Sequence, residues 1–384
     1  MKTKIINLYI FKEILTFFFL GLSIFTFVLL IGNILKLMEM VVSKGIGLSD
    51  VARLFFYMLP YILVFTIPMA LLLALLLTFG KLSSASELIA FKASGLSLYQ
   101  LAVPAGVLAV VTFLLTTFLS LFALPWGNIS FKRELFHLVQ TRAEAGIKEG
   151  VFNDDFAGLI LYIQHRSDEG GKMEGIFLSD TRELTTPSTV LAREGYFRSD
   201  PERYTLTLHL IDGSIHGISR DLLSYQQINF GDYQLQLNLG GGQKGGRKRY
   251  KEMSLLELRG ITEELKQKKQ NFYRPLMELH KRLSIPFACL VFALIGVPLG
   301  IQSPRSGRSR SFSVSLILLL VYYLFLVGGK GLGERGILPP FLAMWSGNIV
   351  FTVFGLILFY RVANEKSLNI SSRLQGLRVR GEGK

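Results

Sequence analysis

Six stretches of this chain contain no Asp, Glu, Lys or Arg: residues 14–35, 54–80, 93–131, 283–304, 311–329 and 336–360. They are 22, 27, 39, 22, 19 and 25 residues long. A helix rising about 1.5 Å per residue needs about 20 mainly apolar residues to cross the roughly 30 Å hydrocarbon layer of a bilayer. All six reach that length or nearly so. The third holds one span of ordinary length, placed at about residues 99–124, before Pro125-Trp126. No comparable stretch lies between Lys132 and Arg282. The pattern is three spans, a large polar insert and three more spans.

The composition agrees. Half the residues are hydrophobic and 18% are charged, where soluble domains average roughly a quarter charged. The mean hydropathy is +0.41. Apolar residues are too abundant for a disordered chain. The single cysteine, Cys289, excludes an internal disulfide framework and a cysteine-built zinc site. Lys2, Lys4 and Lys12 precede the first apolar stretch, as in a signal peptide. Signal-peptide cores end after about 7–15 residues at a small-residue site. This stretch runs on without such a site, so it reads as a retained helix.

The net charge of +14 follows from topology. With six spans, residues 1–13, 81–98, 302–310 and 361–384 share one side and carry 14 Lys and Arg, whereas 36–53 and 330–335 carry 5. Basic residues in short loops mark the cytoplasmic side. That places both termini in the cytoplasm and the insert on the exported side. The insert holds 23 basic and 21 acidic residues, so it is nearly neutral. Nucleic-acid binding is not needed to explain the charge.

Within the insert, from about 150 to 240, apolar residues alternate with polar ones. Tyr204, Leu206, Leu208 and Leu210 face Thr205, Thr207 and His209, and Tyr233, Leu235, Leu237 and Leu239 face Gln234, Gln236 and Asn238. Runs at 159–164, 176–179, 190–193 and 222–230 add further strands, with turns expected at Gly170-Gly171, Asp212-Gly213 and Gly231-Asp232. Several antiparallel strands at short spacing predict a sandwich or jelly roll. The glycine cluster at 240–246 ends the pattern, and Ser254 with Glu257 has the spacing of a capping box that opens a helix.

The fold class is an α-helical polytopic membrane protein with six transmembrane helices and an inserted periplasmic all-β, jelly-roll-like domain. The expected divisions are 1–127 for the first three spans, with a short helix at about 84–94, and 128–253 for the β domain. Residues 254–280 form a connecting helix, 281–363 the last three spans and 364–384 a cytoplasmic tail.

Catalytic signatures are missing. The spans carry no carboxylate for a proton relay. The five histidines are scattered, without HExxH spacing, and read as packing or solvent-facing residues. Gly328-Gly329-Lys330 lacks the spacing and the Ser or Thr of a nucleotide-binding loop. No metal or cofactor is expected, and any energy for transport must come from a partner.

The loop between spans two and three reads as a short helix, with Ser84 and Glu87 at capping-box spacing and Gly95 as its stop. Leu88, Ile89 and Phe91 make it amphipathic. It is either an interfacial helix lying on lipid headgroups or a coupling helix seated in a cytoplasmic ATPase, with Glu87 facing a basic group.

The loop GKLSSASELIAFKASGLS, at 80–97, and the stretch ELHKRLSIPFACLVFALIGVPLGIQSPRSGR, at 278–308, resemble the YjgP/YjgQ permease family, the LptF/LptG subunits of the lipopolysaccharide exporter. The three-insert-three architecture resembles that family over essentially the whole chain, and the Ser-Pro-Arg-Ser-Gly-Arg loop is more similar to the F branch. The resemblance implies a permease pair, LptF with LptG, around a cavity open to the outer leaflet. It also implies two copies of the ATPase LptB beneath, a single-span LptC at the gate and a periplasmic bridge LptA of the jelly-roll fold. Glu87 corresponds by position to the coupling-helix glutamate, with Leu88 and Phe91 as its apolar neighbours.

Lipopolysaccharide carries phosphates that require cations at the outer headgroup level. Lys36 is the first candidate, because the family places basic residues at the outer end of span one. Lys330 and Arg335 lie at the same level. Each is alternatively a snorkelling anchor. Acyl chains would meet residues such as Leu159, Leu161, Ile163, Leu206, Leu208 and Leu210 in the β domain. Two other readings are a membrane scaffold whose β domain binds another protein, and a lipid-modifying enzyme, which lacks a convergent acid, base or metal set.

Overall fold

The computed structural model describes residues 2–44, 47–146, 149–156, 158–166, 172–181, 188–200, 205–218, 225–237, 248–301 and 308–364. Side chains at 2–3, 35–44, 139–146, 154–156, 205, 218, 237 and 308–310 are outside that description. The expected turn at Gly170-Gly171, the glycine cluster at 240–246, Tyr204, Leu239 and most of the 302–310 loop also fall outside it. The described residues form two units, a helical one and one built mainly from the insert.

The helices are α1 (Lys2–Lys44), α2 (Leu48–Ser84), α3 (Glu87–Ala93), α4 (Leu98–Phe118), α5 (Leu124–Gly146), α6 (Leu255–Gln267), α7 (Tyr273–Gly300), α8 (Arg308–Glu334) and α9 (Pro340–Ala363). Among the described residues, six segments are long and apolar enough to cross a membrane, and they contain the six charge-free stretches almost entirely. α2 is central, with 78% of its most apolar window buried, and α1 is peripheral, with 17%. On α1, Ile10, Ile14 and Phe18 recur every fourth residue and are buried, while Phe19, Ile24, Phe27 and Val28 face outward.

Small residues set the closest helix contacts, as expected where lipid supplies no hydrophobic drive for association. A Cβ on Gly329 of α8 would stand 2.0 Å from the Ala343 carbonyl oxygen of α9. Gly333, one turn on, meets Ala343 and Met277 in the same way.

Polar atoms lock the other side of this packing. Asn348 Nδ2 donates to Ser284 O at 2.8 Å, Tyr322 Oη donates to Asn348 Oδ1 at 3.0 Å, and Ser284 Oγ donates to Met344 O at 2.6 Å. Three helices, α7, α8 and α9, are thereby joined by side chains that are fully buried.

Pro125 does not end the helix that carries the third span. A π-helical segment, Leu119–Ala123, sits just before it, and the helix continues as α5 to Gly146. Proline has no N–H to give to the preceding turn, and a π-type widening accommodates that loss without breaking the helix. Part of the expected 128–253 β domain is therefore helical. Ser120 in this segment donates to the Arg282 carbonyl at 2.9 Å.

The insert forms a single antiparallel sheet of β1 (Phe152–Phe156), β2 (Leu159–Arg166), β3 (Met173–Asp180), β4 (Ser188–Asp200), β5 (Thr205–Ile218) and β6 (Tyr225–Leu237). Each strand pairs with the next. Among the described residues the sheet is a meander, not two sheets joined by Greek-key crossovers.

Asp212-Gly213 and Gly231-Asp232 are not turns; they lie inside β5 and β6. Gly175 of β3 (φ +64°) and Asp212 of β5 (φ +50°) adopt left-handed backbone. Asp212 falls between the pairs Ala192↔Gly213 and Glu194↔Ile211, and Gly231 between Ile211↔Asp232 and Gly213↔Phe230. Along this line the alternation slips by one: Leu206, Leu208 and Leu210 point inward before it and Ile215 after it. The crease lets both halves of each long strand feed one core, as a bulge does. Leu159, Leu161, Ile163, Leu206, Leu208 and Leu210 are all buried in that core.

Candidate functional site

Two regions answer to the expected site residues: the short helix after α2 and the C-terminal ends of α1 and α8. α2 runs on to Ser84, whose hydroxyl bonds back to Lys81 O at 2.9 Å. The chain then turns through Ala85 and Ser86, with Ser86 left-handed at φ 59° and ψ 10°. The expected Ser84–Glu87 capping box is therefore not formed: Ser84 ends one helix and Glu87 begins the next. Identical spacing arises at a helix exit and a helix entry, and here the left-handed Ser86 decides between them.

The far end of α3 follows the sequence reading. Gly95 takes φ +87°, its N–H bonds to Lys92 O at 2.9 Å, and Leu96 N–H bonds to Phe91 O at 3.2 Å. These are the two bonds of a Schellman stop. Ser97 then caps α4 in a reciprocal box with Gln100, a Ser-x-x-Gln spacing that sequence inspection had passed over.

Leu88 is 3% exposed and belongs to the same core as Ile10, Ile14, Leu82 and Leu98. Phe91 packs half-buried against that core. Ile89 is the large apolar side chain left outside, at 59% exposure. Leu88 thus fixes α3 to its own bundle. Glu87 is half-buried and accepts a hydrogen bond from Tyr9 Oη of α1 at 3.1 Å on Oε2. One turn along α1, Glu13 Oε1 pairs with Lys81 Nζ at 2.5 Å. Tyr99 and Phe359, at 5.5 Å between ring centroids, place the end of α9 beside the start of α4. The start of α1, α3 and the end of α9 occupy one end of the bundle, as an even number of spans requires.

Lys36 lies in α1 with its side chain outside the described residues. Lys330 lies one turn before the end of α8, 3.8 Å from Glu334 and about half exposed. Arg335 is exposed in the turn that follows. The structure therefore groups Lys330 and Arg335 and leaves Lys36 unassigned.

Near Lys330 the start of α7 carries charges that the sequence reading left out of the site. Glu278 and Lys281 are 3.8 Å apart, and the Lys281 ammonium sits 5.7 Å over the Phe65 ring. Arg282 is 2% exposed. Its Nη2 donates to Tyr250 O at 3.2 Å and to Lys251 O at 3.3 Å, which ties the chain returning from the insert to α7. The charges end the apolar stretch at 283, but the helix begins ten residues earlier, at Tyr273.

In the insert, His209 stacks on Tyr196 at 5.0 Å and 9°, and His216 hydrogen-bonds to Ser214 and Tyr225. Both use their rings for packing and local bonds.

A sequence profile of the lipopolysaccharide export system permeases LptF/LptG matches residues 8–361, from the first span through the last. The chain belongs to the LptF/LptG family. The lipopolysaccharide export system permease protein LptF of Escherichia coli K12 is 26% identical over 320 residues, covering 82% of this chain and 80% of the relative. LptF of Shigella flexneri matches to the same extent. An uncharacterized Rickettsia prowazekii protein is 30% identical over 187 residues, about half of each chain. The six apolar helices, with an antiparallel β insert between the third and fourth, are the layout that the resemblance implied. The chain is thus a multi-pass membrane permease of a family that is not catalytic by itself.

Proposed function

We propose that this chain is the F-type permease of an ATP-driven exporter that lifts lipopolysaccharide from the inner membrane and passes it to a periplasmic jelly-roll bridge. It pairs with a paralogous LptG-like permease. An LptB-like ATPase dimer drives it from the cytoplasm, a single-span LptC-like subunit stands at the gate, and an LptA-like bridge receives the cargo. Both termini are cytoplasmic and the β insert is periplasmic.

The observation that carries this reading is α3. A seven-residue helix, stopped by a Schellman motif and held to its own core by Leu88, presents the exposed Ile89 and the half-buried Glu87 carboxylate. A rigid ledge of this kind receives force from a partner. The end of the bundle where it lies is also the end where α1 starts and α9 finishes, the side to which the basic loops point. Among the described residues the charge-free stretches bury small hydroxyls such as Thr66, Thr112 and Ser284, the Asn348 amide and the Cys289 thiol but no carboxylate, which suits an oily wall for acyl chains, with cations at the outer headgroup level for phosphate.

Co-expression with the ATPase and the paralogue tests the reading. Glu87→Lys is expected to reduce co-purifying ATPase several-fold while the permease stays in the membrane. Unchanged association and unchanged ATP hydrolysis would remove Glu87 from the coupling site. For the cargo end, Lys36→Glu is expected to lower photo-crosslinking to lipopolysaccharide at low salt, and no change would leave Lys36 an anchor. Proteoliposomes of the wild-type complex that release no lipopolysaccharide on ATP addition would favour a scaffold.

A further inference from the structure

We propose that Tyr9 and Glu13 strap the first span to α3, making Tyr9 the positioning residue through which movement of α3 reaches α1. The proposal rests on α3 being the partner-coupled element. The two side chains are four residues apart and so share one face of α1. Tyr9 Oη bonds to Glu87 Oε2 at the start of α3, and Glu13 Oε1 to Lys81 Nζ in the last turn of α2. They therefore grip both sides of the tight turn at Ala85-Ser86. A carboxylate accepts through both oxygens, so Tyr9 on Oε2 is compatible with a partner's cation on Oε1.

The packing of α1 gives this strap leverage. Its buried stripe is Ile10, Ile14, Phe18 and Gly21, with Phe25 packed half-buried beyond it, while Ile24, Phe27, Val28 and Ile31 face outward. Beyond the two ties, Thr26 donates to Thr66 of α2 at 3.3 Å. A helix packed along its first half and thinly covered beyond Phe25 swings most at that far half when its first turns are displaced. Displacing Glu87 by an ångström or two at the strap tilts the whole of α1, and the far end moves furthest. α3 is itself stiff, since its N-terminal turn is left-handed and its C-terminus is a closed stop. The charged pair, with side chains 33% and 18% exposed, supplies strength, and the phenol supplies direction.

The test uses the full complex with the paralogue and the ATPase in proteoliposomes containing lipopolysaccharide. Three quantities are measured: ATPase bound, ATP hydrolysed and lipid released per ATP. In Tyr9→Phe and in the Tyr9→Phe/Glu13→Gln double variant, bound ATPase and hydrolysis are expected to stay within twofold of wild type. Release per ATP is expected to fall at least threefold. The charge exchange Glu13→Lys with Lys81→Glu is expected to recover release relative to either single change, which damage unrelated to this ion pair would not permit. Release per ATP unchanged in the double variant would overturn the strap. So would a loss of release that only tracks a loss of bound ATPase, because Tyr9 would then act on docking alone. A wild-type complex that binds no ATPase would instead overturn the reading beneath it.

Discussion

Asn348 offers the sharpest test of how the last three spans hold together. Its side chain is 2% exposed and takes part in three hydrogen bonds: to Ser284 O at 2.8 Å, to Ser284 Oγ at 3.2 Å and from Tyr322 Oη at 3.0 Å. Side-chain hydrogen bonds between membrane helices average roughly 0.6 kcal/mol, with about 1.7 as an upper figure. Tyr322→Phe removes one donor and leaves Asn348 Oδ1 without it, a cost of about 0.6–1.7 kcal/mol. Asn348→Leu keeps the volume but deletes all three bonds and strands a buried phenol, for about 2–3 kcal/mol. The two changes share one bond. The double variant is therefore expected to cost less than the sum of the singles, by roughly the value of that bond. Reversible unfolding in mixed micelles, read by tryptophan fluorescence, gives the three free energies. Single variants within about 0.3 kcal/mol of wild type, or strict additivity, would refute the argument, because the network would then carry no cohesive energy.

Gly329→Val should drive its Cβ into the Ala343 carbonyl, 2.0 Å away. A loss of about 1–3 kcal/mol is expected in the same assay, and a Tm equal to wild type would show that α8 and α9 separate freely. Ser254→Ala removes the hydroxyl that caps Glu257 N–H at 3.2 Å. It should cost about 1 kcal/mol, seen as faster amide exchange in the first turn of α6. In the insert, the hydrogen bond from Lys172 to Glu194, at 2.8 Å, holds the Glu194 carboxyl below its ordinary value. Its folded pKa is lowered, so the stabilisation is full above the unfolded value near 4.5 and fades as pH falls through the folded value. Melting curves of Glu194→Gln should accordingly lose part of the wild-type decline below that pH, and an unchanged acid limb would show the pair to be inert.

The spans were legible because a missing charge is a strong signal: lipid tolerates no unpaired ion, so apolar length alone marks them. Their ends were not. Lys281 and Arg282 closed the fourth stretch on paper, yet α7 reaches back to Tyr273 because Arg282 bonds to the Tyr250 and Lys251 carbonyls and Lys281 pairs with Glu278. Charges with local partners do not end a helix; they only locate the membrane surface along it. Pro125 misled for a related reason. Proline forbids one hydrogen bond, not a helix, and the π segment before it absorbs the loss. In the sheet, alternation found the strands but mistook Asp212-Gly213 and Gly231-Asp232 for turns. A crease and a hairpin use the same residues, since both need left-handed or unhindered backbone, and only the pairing partners on either side distinguish them.

The site was legible as chemistry and not as geometry. Glu87 stood out as a carboxylate opening a short amphipathic helix. Which of Leu88, Ile89 and Phe91 belongs to the chain's own core depends on where α1 and α2 lie, and no local spacing contains that. Leu88 turned inward and Ile89 outward because the left-handed Ser86 sets the rotation of α3 as it leaves α2. Tyr9, 78 residues away from Glu87, carries no motif at all; it is one aromatic residue in a span rich in them. Its phenol matters because it lies four residues from Glu13 on a helix whose buried stripe places both against Lys81 and Glu87. Contacts between distant segments follow from packing, and packing follows from small and branched side chains spread along the spans. A device built from such contacts is therefore written in the helix faces, and a search for catalytic or nucleotide motifs passes over it.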